Sequence, residues 1–168
     1  MDLNWVPAAD RPDLVAEPVR PALRDDVRVA EIDPALADTA EFCERYGMPL
    51  DTSANCVIVA AKRGGEVRYA ACMVLATSRA DVNGVVRRHL EARKASFAPM
   101  DQATSLTGME YGGITPLGLP AGWPILVDAA VIERSEVVVG SGLRRSKLLL
   151  PGKALAELPG AEVLPLAQ

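Results

Sequence analysis

Two apolar runs that fold back on each other across a pair of glycines constrain this chain more than any other stretch of it. Ala54 to Ala61 is continuous and apolar, with one polar residue, Asn55, at its mouth. Lys62-Arg63-Gly64-Gly65-Glu66 follows as a turn, and Val67 to Ala76 returns as a second run. Short runs rich in Val, Ile and Ala, bounded by glycine, read as strands, so the pair predicts a buried hairpin. Lys62 and Arg63 read as its solvated tip.

The remaining elements group around that hairpin. Val27 to Ile32 alternates apolar and polar residues as a short half-buried strand does. Asp33-Pro34 opens a helix, with Asp as N-cap and Pro at its first position, that stops at Gly47. Asp81 caps a second helix whose apolar residues Val82, Val85, Val86 and Leu90 recur at helical spacing. Ala95-Ser96-Phe97 is short and extended, and Pro99 to Thr107 is helical with Gly108 just beyond its end. Strands follow at Trp123–Asp128, Glu136–Gly140 and Lys147–Leu150, then a short helix at Gly152–Leu158 and an apolar tail. Strands mostly come in adjacent pairs, which predicts an α/β (α+β) fold with a mixed or antiparallel sheet and helices packed outside. Residues 1–22, with prolines at 7, 12, 18 and 21, read as an irregular N-terminal arm that Trp5 pins to the body. Residues 23–168 are expected to form one domain.

Composition removes several function classes. The formal net charge of −4 argues against broad electrostatic attraction to nucleic acid, without excluding a local basic patch. Arg87 and Arg88 on the second helix make such a patch; they read either as a phosphate-binding face or as a solvated helix surface. Cys43, Cys56 and Cys72 with the lone His89 lack metal-ligand spacing, so no metal and no cofactor are expected. His89 sits among charges with no nucleophile in a triad-like setting, which makes it a poor candidate base. No apolar run is long enough to cross a bilayer, and the N-terminus lacks the pattern of a secretory signal. A cytoplasmic location is the expectation.

The stretch Thr107 to Pro120 carries four glycines, two prolines and almost no charge. Glycine allows close approach and positive φ, and proline holds neighbouring N–H groups in one orientation. Such a segment reads equally as a long turn and as a set of backbone donors for a small, oxygen-rich ligand. Further on, Gly140-Ser141-Gly142-Leu143-Arg144-Arg145-Ser146 is a tight turn carrying two arginines.

The order of these features resembles the YbaK/EbsC family of aminoacyl-tRNA deacylases, the domain that edits mischarged tRNA inside bacterial prolyl-tRNA synthetases. The resemblance spans residues 30 to 165 or so. Gly112-Gly113-Ile114-Thr115-Pro116-Leu117-Gly118 is similar to that family's GxxxP loop with its following glycine. The strand pair from Ala54, the Val127-Asp128 strand and the Gly140–Arg144 turn leading into Leu148-Leu149-Leu150 support it.

That resemblance implies a mixed, barrel-like sheet and hydrolysis of the ester that joins a wrong amino acid to the 3′-terminal adenosine of a tRNA. An aminoacyl ester is already reactive, so fixed N–H donors around the carbonyl can replace a full triad. The implied catalytic set is Asn55, Gly112, Gly113 and Thr115, with Ile114, Pro116, Gly118, Ser141 and Gly142 binding substrate. Arg87, Arg88, Arg144 and Arg145 are the implied tRNA contacts. The implied partner is the 3′ acceptor end of aminoacyl-tRNA, with an aminoacyl-tRNA synthetase as a further one. One position departs from the pattern: Asn55 stands where the family usually has a pocket lysine. Asparagine donates hydrogen bonds but brings no charge. The chain is then either a deacylase with a neutral site or an inactive member that binds an aminoacyl or nucleotide ligand, or a protein partner.

Overall fold

The computed structural model describes residues 3–168. Its strands are β1 (Val6–Pro7), β2 (Arg28–Glu31), β3 (Ala54–Arg63), β4 (Glu66–Leu75), β5 (Lys94–Phe97), β6 (Ile125–Asp128), β7 (Val137–Gly140), β8 (Ser146–Leu150) and β9 (Ala161–Leu164). The helices are α1 (Thr39–Tyr46), α2 (Arg87–His89), α3 (Met100–Thr107), α4 (Ala129–Ile132) and α5 (Gly152–Ala156), with several 3₁₀ turns between them.

The hairpin predicted from the apolar runs is present: β3 and β4 pair antiparallel from Ala54 opposite Leu75 to Arg63 opposite Glu66. Gly64 and Gly65 both have positive φ, the geometry that lets a two-residue loop follow the twist of its strands. This hairpin sits inside a five-stranded sheet ordered β5-β3-β4-β6-β9, in which β6 and β9 run parallel to β4. A second, antiparallel sheet has the order β1-β2-β8-β7.

The sheet is mixed, as expected, but it is not barrel-like. Among the described residues a single parallel bridge, Ser53 to Val138, joins the two sheets, and neither closes. Alternation explains why two open sheets suffice. On β7 and β8, Val137, Val139, Leu148 and Leu150 join a core that also holds Ile58, Ala71, Met73, Ile125 and Val127 from the larger sheet. The alternate residues, Val138 and Leu149, instead pack with Ile32 and Phe42 of the opposite face. On β4, Cys72 and Val74 turn away to a third apolar layer with Val82, Val86 and Leu90. Two open sheets thus share one core between them, with further apolar layers over part of their outer faces.

The proline-rich segment after Leu3 contributes Ala8, Leu14, Val15, Ala16 and Val19 to the main core. Trp5 is half-buried against the Phe42 cluster. Asp33 caps as expected, its Oδ1 accepting from the Ala35 amide at 2.9 Å, but only a 3₁₀ turn follows and α1 starts at Thr39. Asp81 likewise accepts from the amides of Gly84 and Val85, at 3.1 and 3.2 Å. Behind it comes a wide turn at Val82–Val86 and then the single turn of α2, with Val82, Val86 and Leu90 buried as their spacing requires. No helix of the described residues is long and apolar enough to cross a membrane.

Candidate active site

Where the start of β3 meets the end of β7, the two sheets leave a cavity of about 320 Å³. Its walls come from the first turn of α1 (Asp38, Thr39, Phe42), from Ser53 to Val57, from Gly112 and Ile114, and from Val138 to Gly140. Asn55 is on the wall beside the glycine-rich loop. Its Oδ1 accepts from the Thr39 hydroxyl at 2.7 Å, which orients the amide and leaves its N–H groups without an acceptor among the described residues.

The cavity also contains a cation that the reading of the loop and of Asn55 did not include. Lys147 lies in the middle of the otherwise apolar β8 and is only 7% exposed. Its neighbours Ser146 and Leu148 point to the other side of the strand, so alternation turns Lys147 toward α1. There Nζ donates to the Ala37 carbonyl at 2.7 Å and lies 5.3 Å from the centre of the Phe42 ring. Burial pulls its pKa down to about 8; Cys43 and Asp38 oppose that shift and Arg144 reinforces it. An ammonium has three N–H groups and one is committed to Ala37, so two are left for a ligand. The signal in the sequence was one lysine inside a strand whose other residues are buried.

The loop is held by the turn that follows β7. Gly113 N donates to the Glu110 carbonyl, Gly142 N to the Gly113 carbonyl and Glu110 N to the Gly142 carbonyl. The amide of Arg144 donates to Glu110 Oε1 at 2.8 Å, and its guanidinium donates to the Tyr111 carbonyl at 3.1 Å. Gly112 takes φ +83°, which the loop could not adopt there with an ordinary side chain at low strain. The amide of Gly113 is thus paired within the chain, whereas the amides of Gly112 and Ile114 have no acceptor among the described residues.

Of the residues expected at the site, Asn55, Gly112 and Ile114 share the cavity. Gly113, Thr115, Pro116, Gly118, Ser141 and Gly142 are not on its wall. Thr115 is fully buried with its hydroxyl unpartnered among the described residues, and Gly118 packs against the backbone at Pro18. Ser141 is buried and bonds Ser146 Oγ at 2.6 Å, so it and Gly142 brace the loop from behind. Among the arginines, Arg144 stands at the rim, 3.5 Å from Asp38. Arg145 donates to the carbonyl of Asp13, and Arg87 to that of Asn83; with Arg88 they lie off this cavity.

Other nucleophiles are poorly placed. Desolvation pushes the Cys56 thiol well above its ordinary range, with Cys72 adding to the effect, so it stays protonated on the cavity wall. His89 is away from the cavity and pairs with Glu162 at 3.0 Å. The described residues contain no cluster that could hold a metal ion. The arrangement can therefore bind a carbonyl or a small anion through N–H donors and one ammonium; of the hydroxyls on its wall, that of Thr39 is engaged with Asn55 Oδ1 and that of Ser53 with Cys43 Sγ.

The family described as the aminoacyl-tRNA editing domain matches residues 33–158. Three solved structures share the fold. A crystal structure described as "a putative trans-editing enzyme for prolyl tRNA synthetase" has a TM-score of 0.78 at 21% identity, covering 98% of this chain and 99% of that one. A protein described as hypothetical reaches 0.75 at 21% identity, with 84% and 91% covered. A scaffold used for epitope backbone grafting by computational design reaches 0.72 at 21% identity, with 84% and 87% covered. The family match spans all but the N-terminal segment and the last strand, and it includes every wall of the cavity: the chain belongs to the aminoacyl-tRNA editing domain family.

Proposed function

We propose that this chain is a trans-acting aminoacyl-tRNA deacylase, hydrolysing the ester of a mischarged tRNA in the cavity shared by Asn55, Gly112, Ile114 and Lys147. The observation that carries this reading is the meeting, in one hollow, of two loop residues whose amides have no acceptor among the described residues and a buried ammonium. The ester carbonyl oxygen would sit against the amides of Gly112 and Ile114 and the free N–H groups of Lys147. Water adds to the carbonyl carbon, and the negative charge that forms on the oxygen strengthens each of those bonds. The tetrahedral species then collapses, the carbon–oxygen bond to the ribose breaks, and the ribose oxygen takes up a proton originating from the water. Free amino acid leaves as its carboxylate, and the second proton of the water passes to solvent. Asn55, steadied by Thr39, orients the ester or the ribose.

The volume of about 320 Å³ and the apolar lining by Phe42, Val57 and Val138 suit a small, uncharged aminoacyl group. The test is a panel of mischarged tRNAs, including Ala-, Cys- and Ser-tRNA, offered to the folded protein while deacylation is followed. Acceleration for one or more small residues is the expected result. A folded sample that accelerates none of them removes the reading.

Asn55→Lys gives a second, graded check. It puts another cation on the wall that Lys147 already occupies, and like charges push a lysine pKa further down. A further fall of one unit from about 8 would cut the protonated fraction at that pH roughly 5-fold. The variant is therefore expected to lose deacylation at about pH 8, to recover part of it in more acidic buffer, and to shift its preference among aminoacyl groups. A pH profile identical to that of the wild type would place residue 55 away from Lys147.

A further inference from the structure

Beside the cavity, a second groove of about 440 Å³ opens on the outer face of the larger sheet, and Asn55 and Val57 belong to both. The register of the sheet explains the continuity. Asn55, Val57 and Val59 alternate onto one face of β3; Val74 is paired with Asn55, and Phe97 of β5 with Val59. The groove therefore runs along β3 from Asn55 toward Phe97, about 13 Å at the usual strand rise. Phe97 is 63% exposed, the most exposed large apolar side chain described. It is unburied at the end of a short edge strand, where a packing role would have turned it inward.

Around this ring stand polar groups with nothing to bind. The Asn83 amide, the Ser78 hydroxyl and the Gln168 side-chain amide line the groove and make no hydrogen bond among the described residues. Arg79 also lines it and has no acidic partner among those residues. Asp81 is the acidic side chain on the wall, and both its oxygens are engaged by the amides of Gly84 and Val85. An exposed ring with free amides beside it is what an unpaired nucleobase needs: a face to stack on and donors and acceptors for its edge. Asparagine and glutamine amides pair well with the edge of adenine in particular.

We infer that this groove is a nucleobase subsite, in which the adenine of the substrate's 3′-terminal nucleotide stacks on Phe97 with Asn83 reading its edge and Arg79 facing its phosphate. The inference rests on the deacylase reading for the identity of the nucleotide. It places the acyl group in the inner cavity, the ribose at the shared Asn55 junction and the base outside. Base-on-aromatic stacking tolerates an acidic protein, because it needs no net positive field.

Two measurements test it. The first compares wild type and Phe97→Ala on an aminoacyl-tRNA and on a small aminoacyl alkyl ester that carries no base. Phe97→Ala is expected to lower kcat/KM about 5- to 150-fold on the tRNA and to leave the small ester unchanged, with Phe97→Trp restoring the tRNA rate. Equal losses on both substrates, or no loss on either, overturn the subsite. The second measurement needs no turnover: adenosine 5′-monophosphate is titrated while backbone amide resonances are followed. Shifts centred on Phe97, Asn83 and Arg79, absent with cytidine 5′-monophosphate and in Phe97→Ala, support the subsite even if no tRNA is hydrolysed. No shift at those residues at millimolar nucleotide rejects it, whatever the deacylation assays show.

Discussion

Lys147→Met is expected to reduce deacylation by about 10²- to 10³-fold while leaving the protein folded. The estimate follows from removing one donor that faces the developing oxyanion. Methionine keeps the length and flexibility of the lysine stem and removes only the ammonium that lies over the Phe42 ring. Two opposing effects on stability accompany the change. The Ala37 carbonyl loses its partner, which costs about 1–3 kcal/mol where no water replaces it. Against that, a buried cation whose charge the fold disfavours is removed. A small net change in melting temperature is the expected sum.

The pH dependence separates Lys147 from a merely structural residue. Its pKa is about 8 in the fold against 10.5 for the free side chain, so between those values the unfolded chain binds the proton that the folded chain has released. Stability therefore rises as pH climbs from about 8 toward about 10.5, and the burial penalty on the cation is felt in full below about 8. Lys147→Met should lose that rise. Activity runs the other way. If the ammonium is the donor, kcat/KM corrected for spontaneous hydrolysis falls above about pH 8, and the variant, already slow, shows no such limb. A wild-type profile that is level through this range, together with an unimpaired variant, would remove Lys147 from the mechanism.

Why Asn55 was visible in the sequence and Lys147 was not is a matter of where each signal lies. The hairpin, the glycines that end α1 and α3 at φ +69°, and the Asp33 and Asp81 caps are local, and each was readable from a few adjacent residues. Asn55 stood out as a polar residue at the mouth of an apolar run. Lys147 also interrupts an apolar run, but what makes it functional is α1 lying across β8, a contact between residues 110 apart in sequence. β9 was missed for a similar reason, since among the described residues its one strand neighbour is the parallel β6 and its own residues show no decisive alternation. The number of sheets was beyond reach too. Alternating valines and leucines on β7 and β8 say that both faces are buried, not which layer covers each.

The loop itself is most exposed to a residue that does not belong to it. Gly140 ends β7 directly behind Gly113 and Ile114, and a Cβ built there would come within 2.4 Å of the Gly113 carbonyl oxygen and 2.7 Å of that of Ile114. The Gly113 oxygen cannot easily retreat, because it also accepts from Gly142 N at 2.6 Å, which ties the loop to that turn. Gly140→Ala must therefore push the loop into the cavity. A displacement approaching 1 Å at the reacting centre costs on the order of 10²-fold, and the overpacking itself about 1–3 kcal/mol of stability. Gly112→Ala is milder on sterics, since its Cβ would meet the far end of the Arg144 side chain, displacing Nη1 from the Tyr111 carbonyl, and it adds the left-handed backbone strain. Gly118→Ala supplies the control. Its Cβ would strike the Pro18 carbonyl oxygen at 2.2 Å, so it should destabilise comparably, yet it lies off the cavity wall. Assayed well below their melting temperatures, Gly118→Ala should hydrolyse ester at close to the wild-type rate per folded molecule and Gly140→Ala should not. Equal activity in the two variants would mean that the position of Gly112 and Ile114 is irrelevant to the chemistry, and the oxyanion role of their amides would have to be given up.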